Sequence, residues 1–137
     1  MLLIRFRGKN LYTEEWAYGN YVCAEKLDGS GDEHFIIEIG KNGATHPVDP
    51  KTVGQYVGLR DRGGEMAYDG DISRDEQGRK WVIFRAPGGF GTCRTQEYAA
   101  GNALYFYQEL GGLQNNSCFM HSHEIIGNVF DNPELLQ

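Results

Sequence analysis

A chain of 137 residues with 40% hydrophobic and 12% aromatic side chains is the size of one domain and can bury a core without staples, which excludes a disordered polymer. Its net charge of −6 makes it a poor general binder of phosphate backbones, which reward clustered Lys and Arg. The charge is uneven: residues 1–9 carry Arg5, Arg7 and Lys9 and no acid, whereas residues 10–39 carry seven acids against Lys26.

Residues 2–7 alternate, with Ile4 and Phe6 on one face and Arg5 and Arg7 on the other, which predicts a half-buried strand. Residues 16–25 are a second extended segment, with Gly19-Asn20 as a turn inside it. Residues 27–32 form a loop by composition, and residues 34–39 a strand. Asn42-Gly43 is a strong hairpin signal, because both central residues of a type I′ turn need positive φ. His46-Pro-Val-Asp-Pro50 breaks structure twice. Residues 53–59 read as strand, residues 61–64 as turn, residues 66–68 as a short strand and Asp69-Gly70 as another turn. Gln77-Gly78 precedes the clearest strand, residues 80–85. Residues 86–92, rich in Pro and Gly, should loop. Residues 95–110 are ambiguous: their Glu, Ala and Leu allow a helix, Gly101-Asn102 breaks it, and residues 104–107 prefer strand. Residues 111–116 loop and residues 118–129 are extended. At the end Asn132 can cap a short helix, Pro133 suits its first position and Glu134 favours its positive start, so a terminal helical turn should plug the open end of a β-structure.

Many short strands joined by Gly-rich turns argue for a mainly β fold with minor α, a small barrel or roll. One domain spans residues 1–137, with residues 1–45 as an N-terminal β segment and residues 46–137 as the barrel core. The three cysteines, Cys23, Cys93 and Cys118, are odd in number and form no C-x-x-C pair, as expected of reduced, partly buried thiols in a cytosolic protein. The apolar run at residues 1–4 is too short for a signal peptide, and no run approaches the ~20 residues of a membrane span. The expectation is a soluble intracellular protein.

Two blocks carry a family signature: Val53-Gly-Gln-Tyr-Val-Gly-Leu-Arg-Asp61 running on to Gly70-Asp-Ile72, and Ile125-Ile-Gly-Asn-Val-Phe-Asp-Asn-Pro-Glu-Leu-Leu136. With Ile4-Arg-Phe-Arg-Gly-Lys9 and Trp16-Ala-Tyr-Gly19 they stand in the order found in the YopX family of phage and prophage proteins, which this chain resembles over roughly half its length. Arg62-Gly-Gly64 departs from the family's usual Lys-Asn-Gly, and Ala67 from its Ile. Residues 86–120 have no recognisable match. The resemblance implies an SH3-like barrel or roll in a mobile element, hence in the cytoplasm of a bacterial host. It carries no activity.

No catalytic constellation is present, no cofactor motif occurs, and the expected role is a non-enzymatic binding module with a protein partner, self-associating. Gly88-Gly-Phe-Gly91 lacks the Gly-Lys-Ser/Thr ending of a phosphate loop. Cys93 or Cys118 with a His, or Ser122 between two His, sits in no nucleophile elbow. Gly54, Gly58, Gly63, Gly64, Gly70 and Asp71 form a candidate ligand-facing rim, although a turn or bend explains every one of these positions. The aromatics Trp16, Tyr18, Tyr21, Trp81, Phe84, Phe90, Tyr105 and Tyr107 include a candidate recognition surface. The candidate binding residues are Arg5, Arg7, Arg60, Arg62, Tyr56 and Asp71. A nucleic-acid-binding accessory protein is the alternative, with Arg5, Arg7, Lys9, Arg60 and Arg62 brought together by the fold. A metal-dependent hydrolase at His121 and His123 is the second alternative: at i and i+2 their imidazoles share a strand face, with His34, His46 and Glu124 as the only further ligands in view.

Overall fold

Period-two alternation of β-branched and aromatic residues, cut by Gly, Asp and Pro at the turns, gives a molecule of short antiparallel strands. The computed structural model describes residues 3–40, 42–110 and 122–137. They fall into two compact units, Met1–Tyr56 and Val57–Gln137.

In the first unit β1 (Phe6–Lys9), β2 (Trp16–Glu25), β3 (Asp32–Ile37) and β4 (Thr45–Pro47) form an antiparallel meander. The start of β5 (Gly54–Arg60) adds to the far side of β1 through Gly54 and Gln55. The unit therefore runs past residue 45, through a 3-10 turn at Pro50–Thr52 whose Asp49 side chain accepts from Lys51 N. One sheet face carries Ala17 and Ile36, which pack with Val48 and with the half-buried Phe6, Tyr21 and Val53 as the core.

The expected turn at Gly19-Asn20 is absent, because β2 is continuous. Gly19 serves close approach instead: a Cβ there would lie 2.0 Å from the Ile37 carbonyl oxygen. The Asn42-Gly43 turn is as read, with φ of 58° and 62°. The first strand is shorter and later than expected. Ile4 is 53% exposed, whereas Arg7 is 5% exposed. Arg7 tolerates burial because its planar guanidinium lies 4.6 Å from the Trp16 ring centroid, where a weakly hydrated cation meets a π-face.

In the second unit β5 continues into a hairpin with β6 (Met66–Tyr68). A second antiparallel sheet follows from β7 (Asp71–Arg74), β8 (Lys80–Ala86), β9 (Gly89–Arg94), β10 (Gln108–Glu109) and β11 (Glu124–Asn128), in the order β10-β9-β8-β7-β11. Leu59, Ala67, Ile83 and Leu110 form one buried cluster, and Phe84, Ala86 and Cys93 another. Ala67, where the family usually has Ile, is fully buried.

Residues 86–92 are a hairpin rather than a loop. Pro87-Gly88 makes the turn and β9 follows, with Gly91 required because a Cβ would lie 2.6 Å from the Tyr107 ring. Residues 95–110 hold the five-residue helix α1 (Thr95–Ala99), which Gly101 ends at φ 79°, then a 3-10 turn at Ala103–Tyr105 in place of the expected strand. The terminal helical turn, Pro133–Leu136, is present. Asn132 does not cap it through its side chain: Asn132 Oδ1 accepts from Asn128 N at 3.2 Å. The mainly β class is as expected, built as two antiparallel sheets with no closed barrel among the described residues. No helix among them is long and apolar enough to cross a membrane.

Candidate functional site

The structure divides the expected binding residues between the two units. Arg5, Arg7 and Lys9 alternate along one face of the first unit and stack on the aromatics of β2. Arg5 lies 5.9 Å from the Tyr18 ring centroid, and Arg7 and Lys9 lie 4.6 and 5.7 Å from that of Trp16. Tyr56 meets this stretch through its backbone, its N–H donating to the Arg5 carbonyl at 2.7 Å. Arg60 and Arg62 belong to the second unit, and both are engaged there. Arg60 donates to the Gly64 carbonyl at 2.9 Å, and Arg62 pairs with Glu124 at 2.9 Å.

Asp71 is buried and works as a turn lock, accepting from Tyr68 N at 2.8 Å. Glycines of the expected rim answer to backbone geometry: Gly64 and Gly70 have φ of 89° and 96° in the connections on either side of β6, and Gly58 has φ 89° within β5. A neighbour that sequence reasoning passed over, Asp61, is also structural. It accepts from Gly63 N and Glu65 N through one oxygen and from Ile125 N through the other, each at 2.9 Å, tying the β5–β6 turn to β11.

Of the expected histidine pair, His121 lies outside the described residues, as does Cys118. His123 is half-buried, and its Nδ1 lies 2.9 Å from Ser73 Oγ. Burial lowers its pKa; nearby Asp75 opposes this and Arg79 adds to it. Glu124, the neighbouring carboxylate, is committed to Arg62. Cys93 is buried, and burial followed by the Glu97 charge pushes its thiol up to about 11, the opposite of what a nucleophile needs.

The chemistry that the sequence reading missed lies on the β2–β3 hairpin. Cys23 pairs directly with His34, and Glu25 with Asp32. Side chains two apart share a face, so Tyr21, Cys23, His34 and Asp32 project together. One ligand atom each from Cys23, Asp32 and His34 lies within 4.8 Å of the other two. Tyr21 Oη meets His34 Nδ1 at 2.5 Å, with the rings stacked 8° from parallel. Burial, and then the charges of Cys23 and Asp32, raise the Tyr21 pKa. Cys23 is exposed rather than partly buried. The signal was present: two strands flanking a loop centred near residue 28 place Cys23 across from His34.

Beside the same hairpin runs a groove of about 320 Å³. It exists because β4 covers β3 only from Phe35 to Ile37, with Val48 N donating to the His34 carbonyl just beyond. Asp32 and Glu33 keep β2 on one side and face the groove on the other. Leu11, Tyr12, Phe35, Pro47 and Pro50 supply its apolar lining. Backbone hydrogen bonds position the first two: Leu11 N donates to the Pro47 carbonyl and Tyr12 N to Asn10 Oδ1, each at 2.9 Å. Leu11 is 55% exposed and Tyr12 83%.

Comparison with known proteins reaches a family and a fold. The family model described as YopX protein matches residues 5–137. The crystal structure of protein EF1440 from Enterococcus faecalis is similar over 100% of both chains, with a TM-score of 0.56 and 22% identity, a likeness of fold alone. No curated protein matches the chain.

Proposed function

We propose that this chain, which belongs to the YopX protein family, is a non-enzymatic protein-interaction module that takes an extended segment of a partner into the groove beside β3. The observation that carries this reading is the edge of β3 at Asp32 and Glu33, unpaired on that side among the described residues and set in a groove with both apolar and charged walls. An unpaired strand edge offers backbone N–H and C=O groups to an incoming strand, and neighbouring apolar side chains select among such strands. The groove volume sits at the lower end of binding-site sizes, roughly 300–1,000 Å³. Self-association, a mobile-element setting and a bacterial host cytoplasm belong to the same proposal.

The nucleic-acid alternative draws less support. Arg7 is buried and Arg62 is paired with Glu124, so neither offers an uncommitted charge to a phosphate. The hydrolase alternative rests on a pair of which only His123 is described, and its Nδ1 lies against Ser73 Oγ.

The test is selection of random extended peptides on the immobilised full chain, followed by amide-shift mapping. Selected peptides should alternate apolar residues, shift the amides of residues 32–35, and lose binding to Leu11→Asp. Binders that map elsewhere, or that bind Leu11→Asp unchanged, overturn the reading. A parallel titration with DNA and RNA at rising salt separates the alternative, since phosphate binding falls steeply with salt.

A further inference from the structure

We propose that Cys23, Asp32 and His34 form a binding site for a thiophilic divalent cation of the zinc class. The site shares Asp32 and His34 with the groove lining, but it uses their side-chain donor atoms rather than the strand edge.

A thiol, an imidazole and a carboxylate are the three side-chain types that zinc takes, at about 2.0–2.3 Å from the metal. Those bond lengths place tetrahedral ligand atoms within about 4 Å of one another. The three groups here already lie within 4.8 Å of one another, close to that spacing. The register supplies the spacing: Cys23 and His34 are a direct cross-strand pair, and Asp32 is the diagonal neighbour of Cys23. The mixed sulfur, nitrogen and oxygen set disfavours calcium and magnesium, which take oxygen ligands.

Two further features fit a ligand set better than a surface accident. Tyr21 Oη holds His34 Nδ1 and orients the ring, as the outer hydrogen bond of a metal-bound imidazole does. Cys23 is a free, exposed cysteine, so its sulfur is accessible to an ion. On binding, the S–H bond of Cys23 breaks, its proton passes to the buffer and its sulfur lone pair forms the bond to the metal, so affinity rises with pH. Three protein ligands at an exposed hairpin leave the fourth position to solvent.

The test uses the full chain without a histidine tag, titrated with cobalt and then with zinc. One cobalt per chain should bind with a thiolate-to-cobalt charge-transfer band, and zinc should displace it. Cys23→Ser should abolish the band, and Asp32→Asn and His34→Ala should weaken binding by more than Tyr21→Phe does, itself about 10-fold. Alkylation of Cys23 in the unmutated chain, read by peptide mass, should slow when zinc is added. That measurement keeps the proposal falsifiable if a variant misfolds. No band, a band that survives in folded Cys23→Ser, or an alkylation rate indifferent to zinc overturns the site.

Discussion

Two hairpins of this chain each carry an aspartate beside the turn, and they use it in opposite ways. In the β7–β8 hairpin Asp75 is 8% exposed and saturated. It accepts from Gln77 N at 3.0 Å, Arg79 N at 2.9 Å, Arg79 Nε at 2.7 Å and Trp81 Nε1 at 3.0 Å. Burial alone would raise its pKa, but the hydrogen bond from Trp81, then those from Arg79 and the Arg79 charge, bring it down to about 2. In the β2–β3 hairpin Asp32 is exposed and closes no turn: that turn is held by Lys26 N donating to the Gly31 carbonyl at 2.9 Å and by Asp28 Oδ1 accepting from Ser30 N at 2.9 Å. A carboxylate whose acceptor sites are filled by its own fold is structural, whereas one left open beside a thiol and an imidazole remains available to a ligand.

The largest expected effect tests the ladder that holds the open cluster together. Gly19→Ala forces a methyl against the Ile37 carbonyl oxygen and should cost about 3 kcal/mol in denaturant unfolding. Because it parts β2 from β3, it should also weaken cobalt binding. Next, Asp75→Asn removes the charge that Arg79 and Trp81 hold, and should cost about 2 kcal/mol at neutral pH while cobalt binding is unchanged. If it cost nothing, the saturated aspartate would be no more structural than the open one.

The pH dependence sharpens the contrast. A depressed carboxylate stabilises fully above its unfolded pKa, so the Asp75 contribution is complete above about pH 4 and is lost as pH falls through about 2. Acid unfolding of the native chain should therefore be steeper in that window than that of Asp75→Asn, measured by fluorescence of the two tryptophans. The smallest effect is at the open site: Asp32→Asn should change stability by no more than about 0.5 kcal/mol, as exposed substitutions do. A loss as large as that of Asp75→Asn would make Asp32 structural and end the comparison.

Local signals determined much of this molecule. The extended runs at residues 16–25, 66–68 and 80–85 located β2, β6 and β8, and Asn42-Gly43 turned where two positive φ angles require those residue types. Pro133 started the last turn, because its fixed φ suits that position. Composition misled where a residue answered to a distant neighbour: Gly91 looked like a loop signal but makes room for Tyr107, and Gly19 looked like a turn but admits Ile37. Arg7 looked exposed but is buried on Trp16. The meeting of Cys23, Asp32 and His34 and the tie from Asp61 to Ile125 N were decided by how the strands pair, and the division into two units parts Arg5 and Arg7 from Arg60 and Arg62. Periodicity says that a residue lies on one of two faces, but only the pairing of strands says which groups share that face and whether their hydrogen bonds are already made.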